Sequence, residues 1–137
     1  VALLAREPSA RVIAIDRSEK ALARARVVNR SAIAAGRVII MVGDIDLSSV
    51  EPGGFGRAFA IRVNSFWTRP GLALPHVAAS LATDGELWVL YDSPKARIVD
   101  TVRSALGASG WRDRRVEYVD GTVAIIARKP PCSPDPV

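Results

Sequence analysis

The sequence predicts an α/β fold, an open and mostly parallel sheet that closes with an antiparallel hairpin. Short apolar, β-branched runs at residues 12–15, 38–42 and 58–63 alternate with stretches of helical periodicity. Parallel strands covered on both faces and joined by crossover helices read this way. The chain then changes character: Arg112–Val119 alternates, Asp120-Gly121 is a strong hairpin turn, and residues 122–127 are apolar. At 137 residues, 49% hydrophobic and 24% charged, the chain has enough material for one domain with a real core.

Each element follows from local chemistry. Residues 1–7 read as the last turns of an amphipathic helix, stopped by Pro8 and Ser9. The strand at 12–15 runs into Asp16. Ser18 is a good N-cap, Glu19 favours the helix dipole, and Ala21, Ala25, Val28, Ala32 and Ala35 recur at helical spacing, with Leu22 widening the stripe. Arg24, Arg26 and Arg30 fall on the solvated side, and Gly36 closes this single long helix. Val38–Val42 is the second strand, ending in Gly43-Asp44, and residues 47–56 are loop. The third strand spans 58–63, although Arg62 is unusual there. Residues 64–70 form an aromatic-rich turn and 72–81 a helix; Asp84-Gly85 is a turn before a fourth strand at 86–91. Ser93-Pro94 opens a last helix with a buried stripe of Ile98, Val102 and Leu106, ended by residues 107–110. The domain is expected over 1–129, with a disordered proline-rich tail at 130–137. No internal repeat is visible.

Composition narrows the function classes. The net charge of +5 comes mostly from scattered arginines without aromatic interleaving, so no nucleic-acid partner is expected. Arginine and alanine together suggest the coding bias of a GC-rich, bacterial-like genome. The single cysteine, Cys132, leaves no internal disulfide and no cysteine metal site, and fits a reducing, cytoplasmic setting. No apolar run is long enough to span a bilayer, so no membrane partner is expected. The chain begins at Val1 without a signal-peptide pattern and without methionine, as a fragment or a start placed inside a longer reading frame would.

Four segments in this order and spacing, RVIAIDRS, VGDIDL, AIRVNSFW and DGELWVLYD, make the chain resemble the class I S-adenosylmethionine-dependent methyltransferases over nearly its whole length. The resemblance implies a Rossmann-like three-layer αβα sandwich, mostly parallel, with the closing antiparallel hairpin, S-adenosylmethionine as cofactor and a small-molecule acceptor. It puts Asp16 on the cofactor's ribose hydroxyls, a task that suits a carboxylate with two acceptor oxygens. Arg17 would lie beside the adenine, its stem against the ring. Gly43 and Asp44 follow the next strand, with Asp44 at the adenine amino group and the Ile45 backbone facing the ring; Asp46 is a rival for Asp44. Val63 and Asn64 would lie beneath the methionine part.

Asn64-Ser65-Phe66-Trp67 stands where the base- and glutamine-methylating members carry Asn-Pro-Pro-aromatic. That departure favours a small-molecule acceptor, with Phe66 and Trp67 at the mouth of its pocket or packed under the following helix. Tyr91 and Asp92, at a strand tip, are the other acceptor-side candidates. His76, mid-helix, is read as a surface residue, and the catalytic group is not named by the sequence. No metal is expected.

The family's first, central strand and its glycine-rich loop are missing from this sequence. Gly53-Gly54-Phe55-Gly56 follows a loop, not a strand, and does not replace them. A buried central strand contributes on the order of 10 kcal/mol, comparable to the ~5–15 kcal/mol stability of a whole domain. The chain alone is therefore expected to fold poorly and to bind cofactor weakly or not at all. Two other readings stand beside the first. One is an NAD-dependent oxidoreductase fragment, which the hairpin, the Gly43-Asp44 pair and the lack of a Tyr-x-x-x-Lys pair disfavour. The other is a non-catalytic remnant completed by a second subunit, as in a homo-oligomer.

Overall fold

The computed structural model describes residues 2–45 and 50–132, and the chain divides into two compact units, Val1–Asp44 and Ile45–Val137. Asp46, the rival for Asp44, and the end of the proline-rich tail lie outside the described residues.

In the first unit, α1 (Ala2–Arg6) leads to β1 (Val12–Asp16), then α2 (Glu19–Val28), α3 (Arg30–Ala34) and β2 (Val38–Val42). The two strands are parallel, with Val12 opposite Val38 and Asp16 opposite Val42. Ser18 caps α2 as expected, its hydroxyl oxygen accepting from the Ala21 N–H at 3.2 Å. The single long helix is instead two. Asn29 interrupts it at φ −106°, and the Asn29 amide donates to the Ala25 carbonyl at 2.9 Å. An asparagine side chain competing for a backbone carbonyl is a common way to end a helix. The break resets the phase of the expected stripe: Leu22 is buried, Ala21, Ala25 and Ala32 are half-buried, and Val28 is 65% exposed. Gly36 (φ +72°) carries the turn into β2. Arg37 does something the sequence does not announce. Its guanidinium donates to the carbonyls of Leu4, Glu7 and Ala10 at 2.9, 2.8 and 3.3 Å, tying the end of α1 to the start of β2.

The second unit contains β3 (Phe55–Ile61), α4 (Ser65–Thr68), α5 (Pro70–Ser80), β4 (Leu81–Asp92), α6 (Ala96–Ala108), β5 (Arg112–Val119) and β6 (Thr122–Arg128). Its sheet runs β3-β4-β6-β5, parallel between β3 and β4 and antiparallel beyond. The closing hairpin forms as expected, with Asp120 (φ +47°) and Gly121 (φ +79°) both left-handed in its turn. Three expectations are corrected. Residues 65–68 of the aromatic turn are a short helix, and Pro94 lies before α6 rather than in its first turn. The Asp84-Gly85 turn is absorbed into β4 as a bulge: Phe55 pairs with Leu81, but Arg57 pairs with Glu86. Gly85 is required there, because a Cβ would meet the Ala82 carbonyl oxygen at 2.9 Å.

Core and surface alternate along these strands. Ala60, Leu87, Val89, Tyr91, Val123, Ile125 and Ala127 face Leu74 and Val77 of α5, Val102 and Leu106 of α6 and Phe66 of α4. On the opposite face, Trp88 packs against Phe59 with ring centroids 5.9 Å apart and under the Arg115 guanidinium at 5.8 Å. Neither β1 nor β3 has a strand on its second side among the described residues.

Candidate functional site

Parallel strands leave their carboxyl ends open, and in α/β sheets ligands bind beyond those ends. In the first unit, Asp16 is the last residue of β1 and its carbonyl accepts from the Gly43 N–H at 3.0 Å, so the tips of β1 and β2 are in register. One oxygen of Asp16, Oδ1, accepts from the Ser18 N–H at 2.8 Å. That bond fixes the carboxylate at the mouth of α2. Gly43 allows close approach, since a Cβ would lie 3.2 Å from Ile15 Cγ2. Arg17 reaches across to Asp44, Nη1 to Oδ2 3.8 Å, in an exposed pair. The structure thus brings Asp16, Arg17, Gly43 and Asp44 together on one pair of strand tips.

The second unit gathers the remaining candidates at the tips of β3 and β4. Ile45 is partly buried against that unit's core. Asn64 organises α4: its carbonyl accepts from the Trp67 and Thr68 N–H groups, and its Oδ1 from the Trp67 indole at 3.4 Å. Phe66 is fully buried in the core, while Trp67 is half-buried. Of the two uses considered for this aromatic pair, Phe66 takes the packing one. Tyr91 is 6% exposed, and its hydroxyl donates to the Val63 carbonyl at 2.7 Å. Burial pushes its phenol up to about 12, so it stays protonated and neutral at ordinary pH.

Arg62 and Asp92 form the polar end of this cluster. The sequence places Arg62 inside the third strand; the structure places it just past the end of β3, with its N–H donating to the Leu90 carbonyl at 2.9 Å. Its Nε donates to Asp92 Oδ2 at 2.6 Å, and its Nη2 pairs with the same oxygen. The other oxygen, Asp92 Oδ1, accepts from the Thr122 hydroxyl at 3.4 Å. Arg62 adopts φ +58°. A left-handed backbone costs a non-glycine residue about 1–2 kcal/mol, whereas an exposed ion pair returns about 0–1 kcal/mol. The Arg62 side chain is 73% exposed and that of Asp92 54%. Ser93 (φ +41°) and Asp120 (φ +47°) are left-handed at the same end of the sheet, and the Ser93 N–H donates to the Gly121 carbonyl at 2.6 Å. The signal for Arg62 was in the sequence, as a charge within an apolar run; its left-handed backbone was not. His76 is half-buried on α5, away from these tips in sequence and in element. No helix is long and apolar enough to cross a membrane, and no group of metal-binding side chains forms among the described residues.

No family model and no curated protein matches the chain. Solved structures do. The pyocyanin biosynthetic protein PhzM matches over 93% of this chain and 46% of its own, at 23% identity and TM-score 0.69. An S-adenosylmethionine-dependent O-methyltransferase from Thermotoga maritima matches over 98% and 56%, at 17% identity and TM-score 0.71. SpnF, a [4+2]-cyclase, matches over 94% and 70%, at 16% identity and TM-score 0.71. The chain spans about half the length of the first two. These likenesses show the fold: the chain has the Rossmann-like α/β fold of S-adenosylmethionine-dependent methyltransferases.

Proposed function

We propose that this chain belongs to an enzyme that transfers a methyl group from S-adenosylmethionine to a small-molecule acceptor. The observation that carries the reading is the pair of acids on adjacent parallel strand tips. Asp16 ends β1 with one carboxylate oxygen held by the Ser18 N–H, and Gly43-Asp44 follows β2 in register with it. A carboxylate that offers acceptors and no donor fits a ribose diol. The oxidoreductase reading draws no support from any of the structural matches named above.

The residues fit the nucleoside part of the cofactor. In the first unit, Asp16 would accept from the ribose hydroxyls, and Arg17 and Asp44 would lie beside the adenine; the second unit's own candidates, Ile45, Val63 and Asn64, are proposed for cofactor contact separately. When bound, the cofactor supplies an electrophilic methyl on a sulfonium. What the chain supplies is placement and dryness, which account for most of the barrier reduction in such a transfer. Trp67, Tyr91 and Asp92 are the acceptor-side candidates, with Phe66 as buried support behind them. Tyr91 is no general base at ordinary pH, because burial keeps its phenol neutral.

The test is titration with S-adenosylhomocysteine and, separately, NADH, followed by NMR so that weak binding registers as clearly as tight. S-adenosylhomocysteine should bind weakly and NADH should not. Asp16→Ala should weaken binding at least about tenfold, since losing charge-assisted hydrogen bonds costs roughly 1.5–3 kcal/mol. Equal affinity in wild type and Asp16→Ala would remove the reading. Because the same fold carries a [4+2]-cyclase, transfer of an isotopically labelled methyl group is the decisive second readout.

A further inference from the structure

We propose that Arg62 is a specificity-determining residue that recognises a carboxylate on the methyl acceptor. The inference rests on the reading of the fold as a methyltransferase, and it goes further by naming the acceptor's chemical class.

The argument begins with the backbone. At φ +58°, position 62 is one that glycine or asparagine fills without strain. An arginine is there at a conformational cost, so its side chain must return something. What it visibly returns is an ion pair with Asp92 in which both partners are more than half exposed. Screening by water makes such a pair worth less than the backbone costs. Support of the fold therefore does not explain the residue. Recognition does, because strained backbone persists where a site needs a particular side chain in a particular place.

The geometry supports the same use. Nε and Nη2 of Arg62 both contact a single oxygen of Asp92, and Asp92 is itself held by the Thr122 hydroxyl. The guanidinium has five N–H donors in a fixed plane. Asp92 takes one edge of that plane and orients it, and among the described residues no other partner engages the side chain. A guanidinium held by one edge is suited to take a planar carboxylate on the other. Its neighbours include acceptor-side candidates: Trp67 follows in α4, and Tyr91, adjacent to Asp92, anchors the Val63 carbonyl.

The test uses the full chain, with benzoate as the carboxylate probe and benzamide as its neutral counterpart. Binding is followed on the Arg62 side-chain Nε resonance and by thermal melting of each variant. Benzoate should shift that resonance and benzamide should not. Arg62→Asn, which tolerates the left-handed backbone, should weaken benzoate binding more than tenfold while leaving the melting temperature unchanged or raised. Arg62→Lys should recover part of the affinity, since it keeps the charge and loses the planar fork. Benzoate binding that survives Arg62→Asn, or benzamide binding as well as benzoate, would overturn the proposal. So would a fall in melting temperature for Arg62→Asn with benzoate affinity unchanged. Titrating S-adenosylhomocysteine into the same samples separates the two claims. If benzoate binds through Arg62 while S-adenosylhomocysteine binds wild type and Asp16→Ala equally, the methyltransferase reading falls and the carboxylate site stands.

Discussion

The two compact units carry different halves of the same sequence pattern on very different supports. In Val1–Asp44 the strands are only half-buried, and Ile39 and Val42 are 46% and 56% exposed. In Ile45–Val137 the corresponding strands bury Leu87, Val89 and Ile125 almost completely. The runs at 12–15 and 38–42 are as continuously apolar as the run at 123–127 in β6. The difference lies in the number of partners. Two strands make a sheet of two edges, whereas β4 and β6 each have neighbours on both sides. Apolar sequence specifies a strand, but only a flanking strand and a covering helix turn it into core.

The sharpest way to break that comparison is to cut the same side chain from each sheet. Ile125→Ala removes a fully buried side chain and should cost about 2–5 kcal/mol. Ile39→Ala, on a side chain 46% exposed, should cost under about 1 kcal/mol. Urea denaturation gives both numbers. Hydrogen exchange on the wild type should show β1 and β2 amides opening well before those of β4 and β6. Equal losses, or uniform protection, would mean that the first unit is held by more than its own packing.

What was legible in the sequence follows the same division. Most strands were placed from their apolar runs and β5 from its alternation, whereas β4 begins at Leu81, well before the expected start at 86. The hairpin was placed because Asp120-Gly121 demands two left-handed residues that few other pairs supply. The break at Asn29 was hidden, since it depends on one side chain reaching back to Ala25, and periodicity alone continues through it. The bulge at Asp84-Gly85 read as a turn for a sound reason, the left-handed Asp84. Only the pairing partner Phe55–Ile61 reveals that the strand resumes beyond it, with its register shifted. Among the site residues, strand-tip acids could be found by position. The Arg62–Asp92 pair could not, because it joins the ends of β3 and β4, whose adjacency is a property of the sheet.

The buried phenol gives a smaller, pH-dependent contrast between the units. Tyr91 ionises near 12 in the folded chain and near 10 when unfolded, so burial favours the neutral form. The sign follows: its contribution is complete below about pH 10 and is lost as pH rises toward 12, because the unfolded chain ionises first. The loss approaches roughly 2–3 kcal/mol at 1.36 kcal/mol per unit. Tyr91→Phe should remove that alkaline decline, visible in urea midpoints measured between pH 9 and 12. It should cost about 1 kcal/mol at pH 7, for the lost bond to the Val63 carbonyl.

The smallest effect is expected at Ser18, and it tests whether cofactor recognition in the first unit depends on that unit's stability. Ser18 contributes twice: its hydroxyl caps α2 and its N–H holds Asp16 Oδ1. Ser18→Ala removes the cap, at about 1 kcal/mol, and keeps the backbone N–H on the carboxylate. If Asp16 is positioned locally, S-adenosylhomocysteine affinity should change less than about threefold while the melting temperature falls. If affinity falls as far as in Asp16→Ala, the carboxylate is oriented by the whole helix start rather than by one backbone bond. In a unit this thinly packed, that outcome would tie binding to folding.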